Sequence, residues 1–323
     1  MNILPPPIVS VIITTLKRPK LVPVAIKSAL SQTLKDIEVI VIVDGPDDPL
    51  TVAVLEKFED PRFRFIVLPV NVKLAGARNE GVKAARAPWV AFCDDDDEWL
   101  PQKLERQLAL ANQSEYNSPI VSSRLVAETE KDRFIWPRRL PRVGEAVGDY
   151  LFIRNSLFQG EGIILPSTLF VQRQLLLKVP FVSGKYHEDY DWLLRVCSLD
   201  GVGIEFVPEP MVIWHFHQGQ GLQRDSQNKN WKQSLAWIKS VQSLVSPRAY
   251  SAFIVLNVSS RVAEVRDWSA FRLLLKEFAI SGQASPFEYV FFMAMWFIPE
   301  SLRHRVRGII NRQKSTTNFI SNK

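Results

Sequence analysis

Short apolar runs alternate with helical patterns through the first third of the chain, and this alternation restricts the fold more than any other feature. Val9-Ser10-Val11-Ile12-Ile13 is a β-branched run, and after it Val22, Ala25, Ile26, Ala29 and Leu30 recur at the spacing that shares one helix face. Val39 to Val43 is apolar without a break, as expected of a strand covered on both faces in a parallel sheet. It ends in the turn signal Asp44-Gly45-Pro46. A helical stretch from Leu50 to Phe58 leads to the strand pattern Phe63 to Val67. The alanine-rich helix Ala75 to Ala85 is closed by Pro88, and Trp89 to Cys93 is the next strand. Strand-helix units in series predict an α/β fold with a right-handed, mostly parallel sheet flanked by helices. Ligands of such sheets bind beyond the carboxyl ends of the strands, which selects Thr14, Asp44 and Asp94.

Further on, Pro101 opens a helix in which Leu104 and Leu108 share a face, and Ile120-Val121 begins another strand. Asp132 to Phe158 is irregular and arginine-bearing, the pattern of a loop-rich region shaping a second substrate site. Polar residues from Gly184 to Asp191 precede a helical run Trp192 to Leu199, and Ile204 to Ile213 is extended. Beyond Gln218 the patterns are mainly helical, through Trp231 to Leu244 and Ala270 to Phe278. A division into residues 1–220 and a helical 221–323 is therefore expected. With 46% hydrophobic and 23% charged residues, a folded globular chain is expected rather than a disordered one. The two cysteines, Cys93 and Cys197, lie in apolar surroundings and are expected as buried thiols of a reducing compartment. The first residues show no basic leader with a long apolar core, so no secretory signal is expected. The longest apolar run, Tyr289 to Pro299, falls short of the roughly 20 residues a spanning helix needs. A cytoplasmic location follows as the expectation.

Four consecutive carboxylates, Asp94-Asp95-Asp96-Asp97, follow the fourth strand directly. Their mutual repulsion calls for a cation or for solvent. Hard oxygen donors suit Mg²⁺ or Mn²⁺ shared with substrate phosphates, and a solvated acidic loop is the plainer alternative. Asp44 is either a bare Asp-Gly turn or a hydrogen-bonding group for a nucleotide base or ribose. The first strand-helix turn, Thr14-Thr15-Leu16-Lys17-Arg18-Pro19, has no glycine, so the dinucleotide-binding fingerprint is missing.

Five segments in order carry a resemblance: Val9 to Thr15, Ala29-Leu30-Ser31-Gln32-Thr33, Val41-Ile42-Val43-Asp44-Gly45, Ala75-Gly76-Ala77-Arg78-Asn79-Glu80-Gly81, and Phe92 to Glu105. Together they resemble the opening of family 2 glycosyltransferases with the GT-A fold, of the bacterial surface-polysaccharide type. The resemblance implies a nucleotide-binding, Rossmann-like sheet and an Asp-x-Asp motif, in which Asp94 lies close to the nucleotide with Asp95 beside it and Asp96 coordinates the metal. It places Asp44 against the base, Thr14 in the base pocket and Arg78 near the nucleotide. Many relatives have an aromatic residue where this chain has Leu16-Lys17. His187-Glu188-Asp189-Tyr190-Asp191-Trp192 is similar to the family's Glu-Asp motif, with Asp189 as the base that takes a proton from the acceptor hydroxyl. Glu188 or Asp191 would raise its pKa or orient the acceptor, and the same acids could instead cap the following helix. Trp214-His215-Phe216-His217 resembles a segment whose histidine closes over metal and diphosphate, with His217 the better match and His215 the second. Alternation puts both on one face, where a structural pair is the plainer alternative.

The resemblance implies an inverting, metal-dependent glycosyltransferase with Mn²⁺ or Mg²⁺ as cofactor. The donor would be a nucleotide-diphosphate sugar, UDP or dTDP favoured, and the acceptor a hydroxyl of a glycan or lipid-linked glycan. A metal-dependent nucleotidyltransferase is the rival enzyme, and a carbohydrate-binding protein without catalysis the third alternative. The formal charge of +6 is concentrated in the last stretch, where Arg303, Arg305, Arg307, Arg312, Lys314 and Lys323 face a single carboxylate. Charge of this kind suits a phosphate-rich surface. With the aromatic run before it, the expectation is peripheral contact with an anionic membrane at its cytoplasmic face rather than with nucleic acid. Burial of that run as a core helix is the alternative.

Overall fold

The computed structural model describes residues 5–129, 132–154, 156, 160–184, 186–215, 230–265, 267–280 and 282–298. The chain forms two compact units. One comprises residues up to Thr129 together with Ile164 to the end of the last strand, and the other residues 130–163 with those from 217 onward.

The first unit is built on a sheet whose strands are β1 Val9–Thr15, β2 Ile37–Val43, β3 Phe63–Val67, β4 Trp89–Asp94, β5 Asp97–Trp99, β6 Ser118–Glu128, β8 Phe170–Gln172 and β9 Val202–His215, while β7, Arg133–Trp136, belongs to the second unit. The spatial order is β3-β2-β1-β4-β8-β6-β9-β5. β1 pairs in parallel with β2 and β4, and β2 in parallel with β3. Every residue of β1 and β2 is buried, which is why both read as apolar runs. Helices α1 Val22–Leu30, α2 Pro49–Leu55 and α3 Lys73–Ala84 supply the crossovers. α3 lies so close to β1 that a Cβ on Gly81 would stand 2.4 Å from the Cγ2 of Ile12.

The expectation of a mostly parallel, Rossmann-like sheet holds for this half only and is corrected by the other. β8 runs antiparallel to β4 and to β6, β9 lies parallel to β6, and β5 is antiparallel to β9, so the sheet is mixed. It is also curled. Four strand spacings separate β4 from β5, about 19 Å in a flat sheet. Asp94 and Asp97, the facing ends of those strands, are three residues apart and span at most about 11 Å. Only a sheet that bends back toward β4 satisfies both. β5 and β8 have three residues each, too short for a periodic pattern to reveal.

The remaining helices of this unit are α4 Lys103–Gln113, α6 Arg173–Lys178 and α7 Glu188–Cys197, whereas α5 Val147–Phe152 belongs to the second unit. The region expected to be loop-rich, Asp132 to Phe158, thus contains β7 and α5. α7 begins a turn before Trp192, so Glu188, Asp189 and Asp191 form its first turn. Both cysteines are free thiols.

In the second unit α8 Trp231–Ser240 is followed by α9 Pro247–Phe253, which runs on through a π-helical turn at Ile254–Ser259 into α10 Ser260–Val265. This helix is apolar all round over Ala252, Phe253, Ile254 and Val255, all fully buried, and forms the centre of the unit. Phe152 of α5 and Trp237 of α8 pack edge-on, and both rings lie 5.0 Å from Phe253. α11 Trp268–Ile280 and α12 Pro286–Phe297 complete it, α12 opening with a capping box from Ser285 and Glu288. Among the described residues no helix is long and apolar enough to cross a membrane.

Candidate active site

Parallel register brings the first candidates together. Thr14 of β1 faces Ile42 of β2 on one side and Asp94 of β4 on the other, and Asp44 is the residue after β2. Thr14, Asp44 and Asp94 therefore share the carboxyl edge of the sheet. Asp44 is buried, accepts a 2.7 Å bond from the amide of Val72, and receives Asn71 Nδ2 on its carbonyl at 3.1 Å. It thereby holds the loop entering α3. Gly45 follows with φ 127°, a backbone conformation that only glycine adopts without strain.

The four acids at the end of β4 occupy different environments. Asp95 is buried: Thr15 Oγ1 donates to it at 2.6 Å and Arg18 Nη1 at 2.7 Å. Burial pushes its carboxyl up to about 6, with Arg18 opposing and Asp96 adding to the rise. Asp96 is also within 3.4 Å of Arg18 Nη1. Asp97 is buried as the first residue of β5. Asp94 keeps about a third of its side chain open, at 31% exposure, and accepts from Arg78 at 2.9 Å. The loop leaves through Trp99, whose indole donates to the Ser167 carbonyl at 3.0 Å and carries the Lys103 ammonium group 4.0 Å above its ring. Lys103 is fully buried and donates to Gln107, and burial lowers its pKa to about 7.

Arg78 joins this loop to α7. Its guanidinium is buried, with Nη2 on Asp94 and Nη1 on Asp189 Oδ1 at 2.6 Å. Two carboxylates far apart in sequence are thus fixed by one rigid fork. Beside it, Asn79 clamps the backbone of Phe181, its Nδ2 donating to the Phe181 carbonyl at 2.8 Å and its Oδ1 accepting from the Phe181 amide at 3.0 Å. The Phe181 ring stacks on Trp192 of α7, meets Phe92 of β4 edge-on, and lies 5.7 Å below the Arg78 guanidinium. This aromatic stack seats α7 against the sheet. The resemblance places Arg78 near the nucleotide and assigns no role to Asn79 or Phe181. Their adjacency to the Ala-Gly-Ala-Arg-Asn-Glu-Gly segment is visible in the chain only for Asn79.

Asp189 stands in the first turn of α7, where the helix dipole favours an anion. Protein atoms crowd it on most sides, yet its side chain is 37% exposed, so one edge stays open to solvent. Burial raises its pKa above the ordinary carboxylate range, Arg78 works against the rise, and Asp94 adds to it. Its neighbours are tied elsewhere. Glu188 accepts from the Gly184 amide at 3.1 Å, and Asp191, fully buried, is paired with Arg195 Nε at 2.7 Å. His187, in the left-handed region at φ 57°, stacks on Tyr190 just before them.

His217 lies outside the described residues. His215, at the end of β9, sits between Glu128, 3.0 Å from Nδ1, and Glu98, 4.0 Å from Nε2. Among the described residues no group of three or more His, Cys, Asp or Glu side chains is arranged to hold a metal ion. What the loop does offer is two hard carboxylates, Asp94 and Asp96, at its rim. The chemistry of that donor set, two carboxylates, is the kind that would suit Mg²⁺ or Mn²⁺.

Residues 10–179 match the family model for Glycosyl transferase family 2. The chain is 27% identical over 225 residues to the amylovoran biosynthesis glycosyltransferase AmsB of Erwinia amylovora, covering 67% of this chain and 72% of that protein. It is 36% identical over 101 residues to the UDP-Glc:alpha-D-GlcNAc-diphosphoundecaprenol beta-1,3-glucosyltransferase WfaP of Escherichia coli, covering 31% of this chain and 40% of WfaP. Among solved structures, residues 1–349 of S. aureus TarS in complex with UDP-GlcNAc superpose with a TM-score of 0.55 at 13% identity, over 94% of this chain and 92% of that one. At that identity the likeness is one of fold.

Proposed function

The chain belongs to glycosyl transferase family 2 and is an enzyme using a nucleotide-sugar donor, and from that premise we infer that it carries out an inverting transfer to a hydroxyl of a glycan or lipid-linked glycan, with Asp189 as the base. The observation that carries this reading is the buried Arg78 fork between Asp94 and Asp189. A single displacement needs the acceptor oxygen and the departing diphosphate on opposite sides of the anomeric carbon. The base and the carboxylates on the diphosphate side must then be held in one fixed relation. Arg78 supplies that relation without occupying the open edge of Asp189.

As the acceptor oxygen bonds to the anomeric carbon, its proton passes to Asp189. The bond from that carbon to the phosphate oxygen breaks, and the nucleoside diphosphate leaves with the electron pair. Arg18, beside Asp95 and Asp96, brings positive charge to the side where the diphosphate departs. Mn²⁺ or Mg²⁺ held by Asp94 and Asp96 would supply charge neutralisation on that diphosphate when bound. Thr14 and Asp44 line the nucleoside end of the same strand edge. Asp95, with both oxygens engaged by Thr15 and Arg18, shapes the loop around the nucleotide. Glu188 and Asp191 position α7, since their partners are Gly184 and Arg195.

A uridine or thymidine diphosphate sugar is the donor favoured here, in keeping with the UDP named for WfaP and the UDP-GlcNAc bound to TarS. A GT-A catalytic domain of bacterial surface-polysaccharide synthesis is the class in keeping with AmsB. The test is an assay of UDP- and dTDP-sugars against glycan and lipid-linked acceptors, with the product linkage read by NMR. The anomeric configuration is expected to be opposite to that of the donor, and a product of retained configuration overturns the single displacement.

A further inference from the structure

α12 is apolar on two faces, one buried and the other largely exposed, touching the protein through Phe297 on Phe271 and Trp268. Phe292, Met295 and Trp296 turn inward, where Phe292 packs on Phe278 and Phe271, and Trp296 on Phe271. Val290, Met293 and Phe297, spaced by three and four residues, form a second stripe on the opposite side and are 69%, 38% and 64% exposed. The stripe does not end with its helix. Trp268, at the start of α11 and half exposed, has its ring 5.7 Å from that of Phe297. An ordinary surface helix turns polar residues outward, and a monomer rarely gathers large apolar side chains at one exposed place.

Basic charge predominates around this face, with Asp267 beside Trp268 as an acidic neighbour. The exposed side of α11 carries Arg272 and Lys276, and neither pairs with a carboxylate among the described residues. In sequence, the residues that follow α12 include Arg303, Arg305, Arg307, Arg312, Lys314 and Lys323 against Glu300. We propose that the outer face of the α11–α12 hairpin is a membrane-docking surface, which lies in the headgroup region of an anionic bilayer without crossing it. The aromatic and aliphatic stripe enters the interface while the basic residues meet lipid phosphates. A second copy of the chain is the poorer occupant, because it would set Arg272 and Lys276 against their own duplicates. An anionic surface turns the same charge into attraction, and tryptophan is at home in the interface.

This inference concerns where the proposed transferase works. Flotation reads binding without turnover, so its failure would leave the transfer reading standing. Full-length protein is floated with phosphatidylcholine vesicles, with and without phosphatidylglycerol, at low and high salt. Binding is expected only with the anionic vesicles, weakening as salt rises. Val290→Ser with Phe297→Ser, and separately Arg272→Gln with Lys276→Gln, should each weaken it about tenfold, with melting curves unchanged. Trp268→Ala provides a second apolar variant should the double serine variant fail to fold. The proposal is overturned if wild type does not float, or if folded apolar variants float as well as wild type. It also falls if those variants only convert a dimer into a monomer in sedimentation.

Discussion

At the scale of single residues the site depends on Arg78, because the two terminal nitrogens of its buried guanidinium fix Asp94 and Asp189 together. Asp189→Asn keeps the shape of that contact and removes the base. Turnover should fall roughly 10²-fold or more while donor affinity by calorimetry stays near wild type. Near-normal turnover would move the base elsewhere. Because burial holds the Asp189 carboxyl above the ordinary range, the acid limb of kcat/KM should lie above that of an unperturbed aspartate, and the Asn variant should lack it. Asp95 gives a second test, on stability. Its folded pKa of about 6 exceeds the model-peptide value of about 3.9, so the folded state holds its proton longer than the unfolded state does. Its contribution to stability is therefore most favourable below the unfolded value and declines as pH rises toward 6. With metal removed by EDTA, Asp95→Asn should gain on wild type in melting temperature from about pH 4 to pH 6 and then hold a constant lead. A lead that shrinks with rising pH would contradict the assignment. Asp94, Asp96 and Asp189 were legible as acids at a site, since four carboxylates after a strand and an acidic stretch before a helix stand out in any chain. That Arg78 would bridge them was not, because the two partners lie 16 and 111 positions away and no local pattern joins them.

Elements carry these residues into place through close approach. α3, which carries Arg78, packs against β1 at a distance that leaves no room for a side chain on Gly81 toward Ile12. Gly81→Ala should cost about 1–3 kcal/mol by overpacking, read in denaturant unfolding. An unchanged midpoint would mean that α3 has room to shift. β1, β2 and β4 were readable because their centres are buried and mainly apolar, and β3 because its aromatic and β-branched residues stand out at the edge of the sheet. β5 and β8 were not, being three residues long and defined by their partners rather than by a pattern of their own. The start of α7 was placed a turn late for a related reason: its first turn is acidic and resembles a loop, and the helix is held there by Trp192 on Phe181 and by the Trp192 indole on the Val179 carbonyl.

On the scale of the whole molecule, the order of strands decided what the sequence left open. Parallel βαβ units, the strand edge that gathers Thr14, Asp44 and Asp94, and the helical character of the later region follow from periodicity, which is local and written into the chain. A mixed sheet is not written there, because the direction of β8, β6 and β9 depends on which strands they pair with, and those partners are distant in sequence. The curl that returns β5 toward β4 brings the acidic loop back over the site, and it arises from pairing between residues as distant as Glu98 and Ile213. The apolar run in α12 illustrates the same limit, since sequence offered burial or exposure as alternatives and the fold gives it one face of each. Sequence alone determined which residues could do chemistry, because charge and polarity belong to side chains themselves. Tertiary structure decided which of them meet, because Arg78, Asp94 and Asp189 become neighbours only when long-range packing closes the chain around them.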